Sequence, residues 1–333
     1  MPQNQVLHGF FECDTPTQST SASLGAVPFA REMVYLEAAR GAHLRINFRM
    51  ISTADSMQKP TPSQLVTRGG SGFAYSTALA DLSEGLSLWP LWVRLGWNDI
   101  LQRYRRSTLG PLWLTASMAV MVIALGGLYG QLFNMPIHDF LPYICVGLLV
   151  WNLISSFLVE GGALFTGAES YIKQVRLPYS VYVYRSSWSK LVIFAHNFVI
   201  YLGVILYFQT WPGAVALLAI PGMLLVLFNG AAVMLCIGMV SARFRDVPQL
   251  VNSLVQIIFF VTPIMWDPGL LRNRAYIADF NPFYHVLEIV RAPLLGTVPS
   301  VQSYAVVLLI TLMNILVVGA FFARFRARIS YWV

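Results

Sequence analysis

The side chains most often used in catalysis are sparse along this chain of 333 residues. The nearest approach to a phosphate-binding loop is GALFTGAE at Gly162–Glu169, where two glycines have the P-loop separation. However, Ala168 and Glu169 occupy the positions where Lys and Ser or Thr would hold phosphate and Mg²⁺. We therefore interpret this segment as small-residue packing and not as a nucleotide site.

Metal-dependent chemistry also lacks its usual ligands in this sequence. None of the five histidines stands at metal-ligand spacing from a second His or Cys. No DxD-like acidic pair is present for a metal-dependent glycosyl transfer. We therefore predict no catalytic residue, no metal site and no cofactor in this chain. Any energetic work then draws its energy from another chain or from an ion gradient.

Three polar residues fall within or at the end of long apolar segments: Glu160, His196 and Asn197. Such groups are functional candidates because placing them in a bilayer costs free energy. For His196 we favour a hydrogen bond between helices over proton transfer, because a proton carrier usually contains several ionisable groups within its spans. A proton-driven flippase is disfavoured for the same reason.

Aromatic residues make up 14% of the chain, and many lie in one half of the apolar segments. An aromatic belt at the membrane interface is one explanation. A lining on which sugar rings slide is the other, because the C–H groups of a pyranose face stack on aromatic rings. The second explanation predicts a substrate path formed by Tyr129, Phe133, Tyr143, Phe259, Phe260, Trp266, Phe283 and Tyr284.

The elements that must position these residues are apolar helices. The chain is 56% hydrophobic and only 11% charged, whereas soluble domains carry about 25% charged residues. A bilayer requires about 20 consecutive apolar residues for a spanning helix. The composition therefore predicts an integral membrane protein. Its six candidate spans are residues 112–133, 140–162, 187–209, 213–240, 250–267 and 301–323.

The Lys and Arg residues predict the orientation of these spans. They are concentrated before the first span, in alternate loops and in the C-terminal tail, whereas the loops 134–139 and 210–212 contain none. By the positive-inside rule, both termini face the cytoplasm. The same rule explains the net charge of +7 without a nucleic-acid partner.

The segment 268–300 is the exception to this alternation. It contains Arg272, Arg274 and Arg291, four prolines, and apolar pieces too short to span a bilayer. Non-helical backbone at membrane depth is tolerated only where protein or a water-filled path surrounds it. We therefore predict short helices that dip into the outer leaflet, starting where Pro263 interrupts the fifth span.

The N-terminal part of the chain has a different composition. Residues 1–80 are rich in Ser, Thr, Gln and Gly, which predicts a disordered or poorly ordered extension; a start at Met50 or Met57 is the alternative.

Residues 81–110 contain an amphipathic helix, and residues 111–333 form the transmembrane domain. The helix places three tryptophans on one face and arginines on the other, which is typical of the membrane interface. Packing against a partner protein is the alternative. Its apolar stripe is Trp89, Trp92, Val93, Trp97, Ile100 and Tyr104.

Several stretches of the chain point to one family. They are RYRRSTLGPLW (103–113), YIKQVRLPYSVYVYR (171–185), RFRDVPQLVNSLVQIIFFVTPIMW (243–266), NPFYHVLEIVRAPLLG (281–296) and the terminal RISYWV. From about Leu88 to Val333 the chain resembles the membrane-spanning subunit of ABC-2 type exporters. The resemblance is to the branch that exports O-antigen, capsule and teichoic-acid polysaccharides. Residues 1–80 lie outside it.

This resemblance implies a fold and a set of partners. The fold is all-α, with six transmembrane helices, an N-terminal interface helix and short re-entrant helices between spans five and six. The protein would be a homodimer in the bacterial inner membrane, bound to two copies of a separate ATPase subunit that holds ATP and Mg²⁺. Its substrate would be a lipid-linked glycan, taken from among the membrane lipids.

The resemblance also implies roles for particular residues. Coupling to the ATPase is assigned to the loop between spans two and three and to the elbow before span five, through Glu169, Lys173, Arg176, Leu177, Pro178, Arg243, Arg245 and Asp246. A pyrophosphate head group would be attracted by Arg94, Arg103, Arg105 and Arg106. Plain topology signalling is the alternative for these four arginines.

Two other functions are compatible with parts of the sequence. An ABC-2 exporter of a drug or small lipid would share the fold and change only the cargo. A membrane-embedded glycosyl or acyl transferase would need the acidic or histidine clusters that the sequence lacks.

Overall fold

Long apolar helices form most of the protein. The computed structural model describes residues 75–103, 105, 110, 112–269 and 276–333. Five segments of the described chain are long and apolar enough to cross a membrane, and no strand occurs in these ranges. The chain is therefore a helical multi-pass membrane protein, as its composition predicts. The five segments are Leu112–Leu132, Ile137–Ala163, Ser180–Phe208, Gly213–Arg243 and Val301–Trp332.

We number the α-helices of the described ranges in chain order. They are α1 (Tyr75–Ser87), α2 (Trp89–Arg103), α3 (Leu112–Leu132), α4 (Ile137–Ala163), α5 (Glu169–Gln174), α6 (Ser180–Phe208), α7 (Ala219–Arg243), α8 (Val247–Val261), α9 (Tyr276–Asp279), α10 (Pro282–Leu294), α11 (Val301–Phe325) and α12 (Ile329–Trp332). Short 3₁₀ segments precede α5, α7 and α12.

Helix α4 is the centre of the bundle. Two-thirds (67%) of its most apolar window is buried, against 17% for α3 and for α11. It packs against α3, α6, α7, α8 and α10. Since α3 and α11 leave most of their apolar surface open in the single chain, that surface is available to lipid or to another protein chain.

Close backbone contacts fix the positions of α7 and α10. A Cβ added at Gly222 of α7 would lie 2.4 Å from the carbonyl oxygen of Ile289 in α10. Only a glycine permits this approach, since real Cβ atoms do not come so near a backbone oxygen. Asn281 caps α10 through a hydrogen bond from the Phe283 N–H, and Ser300 caps α11 through one from the Ser303 N–H.

The predicted fifth span, 250–267, is wrong at its C-terminal end. Helix α8 stops at Val261 after 15 residues, which is about 22 Å of helix and less than the hydrocarbon core of about 30 Å. Thr262–Trp266 is irregular, and Thr262 to Met265 are buried. Pro263 explains the break, because it has no N–H and disfavours helical geometry in the residue before it.

The predicted boundary at residue 81 falls inside a helix. Helix α1 begins at Tyr75, so its first six residues belong to the range predicted to be poorly ordered. Residues 1–74 lie outside the described residues. The division into an N-terminal extension, an interface helix and a transmembrane domain remains a prediction.

The apolar stripe predicted on the interface helix is divided in the structure. Trp92, Gly96 and Ile100 of α2 face α6, whereas Trp89 and Trp97 are 61% and 47% exposed. Gly96 determines the packed face, because a Cβ at this position would lie 2.8 Å from the Arg185 carbonyl oxygen of α6. Its own carbonyl accepts a hydrogen bond of 2.9 Å from the Ser189 hydroxyl. Tyr104 lies outside the described residues.

Candidate functional site

The residues predicted to bind an ATPase come from two segments that lie side by side. Lys173 Nζ lies 2.5 Å from Glu169 Oε1 within α5. The pKa of Glu169 is lowered by this hydrogen bond, by the charge of Lys173 and by the charge of Arg245. Arg245 belongs to the elbow between α7 and α8, so the structure brings the loop and the elbow together.

The C-terminus is a third part of this region. Lys173 Nζ also donates to the backbone oxygen of Val333, at 3.2 Å. The Arg243 guanidinium lies 5.6 Å from the Trp332 ring centroid and 5.3 Å from that of Phe244. We call the combined region, residues 169–178, 243–246 and 329–333, the coupling surface. Its C-terminal part was not predicted from the sequence.

The predicted coupling residues differ in how far their side chains are exposed. Arg176, Arg243, Arg245 and Asp246 are exposed, Leu177 is half-buried and Pro178 is buried. Pro178 therefore supports the start of α6 and offers no surface to a partner.

The N-terminus of α6 is held by a buried carboxylate that was not predicted from the sequence. Asp81 of α1 accepts hydrogen bonds from the Tyr179 N–H (3.1 Å), the Ser180 N–H (3.0 Å) and Arg326 Nε (2.6 Å). The Ser180 hydroxyl donates to the Asp81 carbonyl at 2.7 Å. Asp81 thus connects α1, the end of the coupling loop and the C-terminal turn.

Six of the eight aromatic residues predicted to form a path lie in two groups of neighbouring rings, and Trp266 and Tyr284 adjoin them through other contacts. Tyr129 lies 5.6 Å from Phe133, which leads through the buried Phe140 to Tyr143. The Tyr143 hydroxyl donates to the carbonyl of Trp266 at 3.0 Å.

A second part of the aromatic network surrounds Trp151. Its ring lies 5.9 Å from Phe259 and 6.1 Å from Phe283. Phe260 adjoins Phe259 and is 68% exposed. Tyr284 lies near the Arg291 guanidinium, at 6.0 Å from its ring centroid. Most of these aromatics pack within the chain, and Phe260 is the one of the eight that presents a mostly open ring.

Helix α8 carries a polar stripe that was not predicted from the sequence. Gln249, Asn252, Ser253 and Gln256 are exposed, and at about 100° per residue they lie on the same side of the helix as Phe260. An amide facing hydrocarbon without a partner costs several kcal/mol. This stripe therefore faces water or another protein chain. The 3.6-residue spacing of polar residues within the apolar run is the signal that reveals it.

The arginines predicted to attract a head group are on the surface. Arg94, Arg103 and Arg105 are exposed, whereas Arg106 lies outside the described residues. Arg103 lines a cavity of about 510 Å³ between α2, the end of α4 and the start of α6.

Two ion pairs form part of the wall of this cavity. The Arg185 guanidinium binds Asp99 through two hydrogen bonds, one of them 2.6 Å long. Lys190 is buried, and its Nζ lies 2.7 Å from Glu160 Oε2. Glu160, a polar residue at the end of a span, is therefore an ion-pair partner.

His196 and the GALFTGAE segment have structural explanations. His196 Nδ1 lies 2.9 Å from the Val192 carbonyl of its own helix. The backbone carbonyl of His196 accepts a 3.4 Å hydrogen bond from the Thr115 hydroxyl of α3, so the bond between helices involves the backbone of this residue. Packing by small residues is confirmed at Gly162, where an added Cβ would lie 2.9 Å from Pro248. No group of His, Cys, Asp and Glu able to hold a metal occurs among the described residues.

Comparisons with known proteins agree with the helical architecture. The family model described as ABC-2 type transporter matches residues 90–295. The O-antigen export system permease protein RfbA of Myxococcus xanthus is 24% identical over 204 residues, which are 59% of this chain and 77% of that protein. A protein of the same name from Klebsiella pneumoniae is 21% identical over 254 residues, which are 73% of this chain and 95% of the relative.

Proposed function

Because the chain belongs to the ABC-2 type transporter family, we propose that it is the permease of an ATP-driven exporter of lipid-linked polysaccharide. The cargo is of the O-antigen or capsular type, and the membrane is the bacterial inner membrane. The names of the relatives support this cargo, since both are O-antigen export permeases. The observation that carries the proposal is the exposed face of the apolar helix α8, where amides adjoin an open aromatic ring.

This face fits a carbohydrate better than an apolar cargo. Amide groups donate and accept hydrogen bonds, as sugar hydroxyls require. Phe260 adds a ring on which a sugar face can stack, and uncharged side chains allow successive units to pass without being held. In a homodimer the α8 helices of two protomers would enclose the path, which gives the polar stripe a wet environment.

The energy for export comes from a partner in this proposal. ABC-2 permeases normally work with an ATPase subunit, and two copies would bind ATP and Mg²⁺ below a permease dimer. The coupling surface is their docking site, with both termini in the cytoplasm. Its exposed Arg176, Arg243 and Arg245 suit an acidic rim on the partner.

The remaining predictions fit the same scheme. Helix α2 lies in the membrane interface, where the exposed Trp89 and Trp97 contact lipid head groups. Arg94, Arg103, Arg105 and Arg106 attract the pyrophosphate of the lipid carrier. Helix α8 and the break after it cross the membrane together as the fifth of six spans, and α9 and α10 are the short helices at the exit.

Deletion of this gene in its host tests the proposed cargo. We expect lipid-linked polysaccharide to accumulate inside the cell and to disappear from the surface, as measured by glycan blotting with and without permeabilisation. Expression of the wild-type chain should restore the surface glycan. Normal surface glycan in the deletion strain, together with increased drug sensitivity, would instead favour an exporter of drugs or small lipids.

A further inference from the structure

Arg291 is the most deeply buried charged side chain in the outer part of the described structure. It lies on α10 and is 2% exposed. The positive-inside rule treats it as an exception, because it follows the fifth span, in the same segment as Arg272 and Arg274, whereas the loops 134–139 and 210–212 contain no Lys or Arg. A charge in this position carries a desolvation cost that only specific partners can offset.

The partners of Arg291 are all present in the structure. Its Nε and Nη2 donate to Glu288 Oε2, at 2.9 and 2.6 Å. Its Nη1 donates to the carbonyl oxygen of Pro263, at 2.7 Å. The guanidinium carbon also lies 4.4 Å from the Tyr143 ring centroid. One side chain therefore joins α10, α4 and the break that follows α8.

The break needs these contacts because it is irregular backbone in a buried position. Carbonyl groups that leave a helix at membrane depth must find other donors. Arg291 donates a hydrogen bond to the Pro263 carbonyl, and Tyr143 donates one to the Trp266 carbonyl. The Thr262 hydroxyl accepts a 3.0 Å hydrogen bond from Asn281. Behind the break, a Cβ at Gly147 would lie 2.9 Å from the Ile264 carbonyl oxygen.

We propose that Arg291 is a positioning residue that holds the break at Thr262–Trp266 and thereby sets where Phe259, Phe260 and Trp266 stand along the path. The full set of contacts depends on the guanidinium and not just on a positive charge. A lysine ammonium is a point charge and cannot reach Glu288 and the Pro263 carbonyl while also lying flat against Tyr143. The role in export rests on the proposed function, but the role in holding the break does not.

The test measures the accessibility of the break directly. Ile264 is fully buried, so we introduce Ile264→Cys into a full-length chain in which Cys13, Cys145 and Cys236 are changed to Ala. In native membranes we expect slow reaction of this thiol with a membrane-permeant maleimide. Arg291→Met should increase the labelling rate about tenfold or more, because the break opens locally, and should abolish polysaccharide export. Arg291→Lys should give intermediate values of both.

Two further variants keep the test decisive. Arg328→Met, which removes an exposed cytoplasmic arginine, should change neither labelling nor export. Tyr143→Phe keeps the ring but removes the hydrogen bond to Trp266, and should raise labelling less than Arg291→Met does. If Arg291→Met does not accumulate in membranes, Tyr143→Phe and Arg291→Lys are the variants used for the test.

Two results would overturn the proposal. The first is an introduced thiol at position 264 that stays equally protected in the Arg291 variants. The second is increased labelling with normal export, since the break would then not position the path. Because labelling does not depend on the cargo, an error in the proposed substrate would leave the labelling result intact.

Discussion

At the scale of single residues, two buried charges, Asp81 and Arg291, join segments that are distant along the chain. Asp81 accepts hydrogen bonds from two backbone N–H groups and from Arg326, and its side chain has no exposed area. Arg291 is also a buried charge, at the opposite side of the bundle, and it donates a hydrogen bond to the Pro263 carbonyl, where the helix is broken. In both cases a charge is stable in the interior because hydrogen bonds of defined geometry surround it.

We predict that Asp81→Ala destabilises the protein more than a comparable change on the surface of the same helix. The change leaves Arg326 and two backbone N–H groups without their acceptor. Breaking a buried ion pair from one side costs about 3 kcal/mol or more, and the 32% exposure of Arg326 places this variant at the lower limit. Thermal unfolding of the purified protein in detergent measures the change.

Glu84→Ala is the control for Asp81→Ala, because Glu84 is exposed on the same helix. It should leave the unfolding temperature nearly unchanged. Equal unfolding temperatures for the two variants would contradict the anchoring role of Asp81.

Residues such as these are difficult to predict from sequence. Arg291 was noticed only because it violated the charge alternation of the loops, and its partners are 3, 28 and 148 positions away along the chain. Asp81 is likewise 98 positions from Tyr179 and 245 positions from Arg326 along the chain. Sequence spacing within one helix reveals neither set of contacts.

At the scale of helices, chain composition predicted the structure better than it did for single residues. Apolar length predicted five spans that the structure contains as long helices, since a bilayer forces every backbone group into internal hydrogen bonds. Pro263 predicted a break but not its exact start. The face of α2 was predicted less well, because Gly96 allows α6 to approach a side that hydrophobicity alone would not select.

We predict that Gly222→Ala disturbs the packing of α7 on α10. The new Cβ would lie 2.4 Å from the Ile289 carbonyl oxygen, so the two helices must separate. Overpacking of this kind costs about 1–3 kcal/mol. Gly203→Ala is the matched control, because no atom lies within 4 Å of its added Cβ. The unfolding temperature should fall for Gly222→Ala alone, and a fall of equal size in both variants would argue against the close contact.

We predict that the polar stripe of α8 matters for export but not for assembly. Phe260→Ala and Gln256→Leu should each lower surface polysaccharide several-fold, because they remove a stacking ring and a hydrogen-bonding amide from the path. Phe228→Ala is the control, since Phe228 is an exposed phenylalanine on α7. Unchanged export in both stripe variants would show that this face of α8 has only a structural role.

At the scale of the whole molecule, separate parts of the chain converge on the proposed cytoplasmic side. The loop before α6, the elbow before α8 and the C-terminal residues lie together in the coupling surface, which we propose as the docking site of the ATPase. The family resemblance predicted the first two parts, and only the structure adds the third. The hydrogen bonds between Ser180 and Asp81 join the start of α6, next to this surface, to α1.

We predict that Arg176→Asp combined with Leu177→Asp weakens binding of the ATPase subunit. The changes place two carboxylates where an exposed arginine and a half-buried leucine stand, so they repel an acidic partner surface. Co-purification from membranes measures the complex, and insertion of the chain should be normal. Ser83→Asp, which adds a carboxylate on the exposed side of α1, is the control. Full recovery of the complex with the double variant would remove the docking assignment.

The most direct test of the account is transport by the purified permease and its ATPase in proteoliposomes. Lipid-linked polysaccharide is supplied on the ATPase side, and its movement is measured as susceptibility to a glycosidase confined to the opposite side. We expect movement that requires both ATP and the ATPase subunit and that is lost in Phe260→Ala. If the polysaccharide stays on its original side while a drug or small lipid is moved under the same conditions, the proposed cargo is wrong.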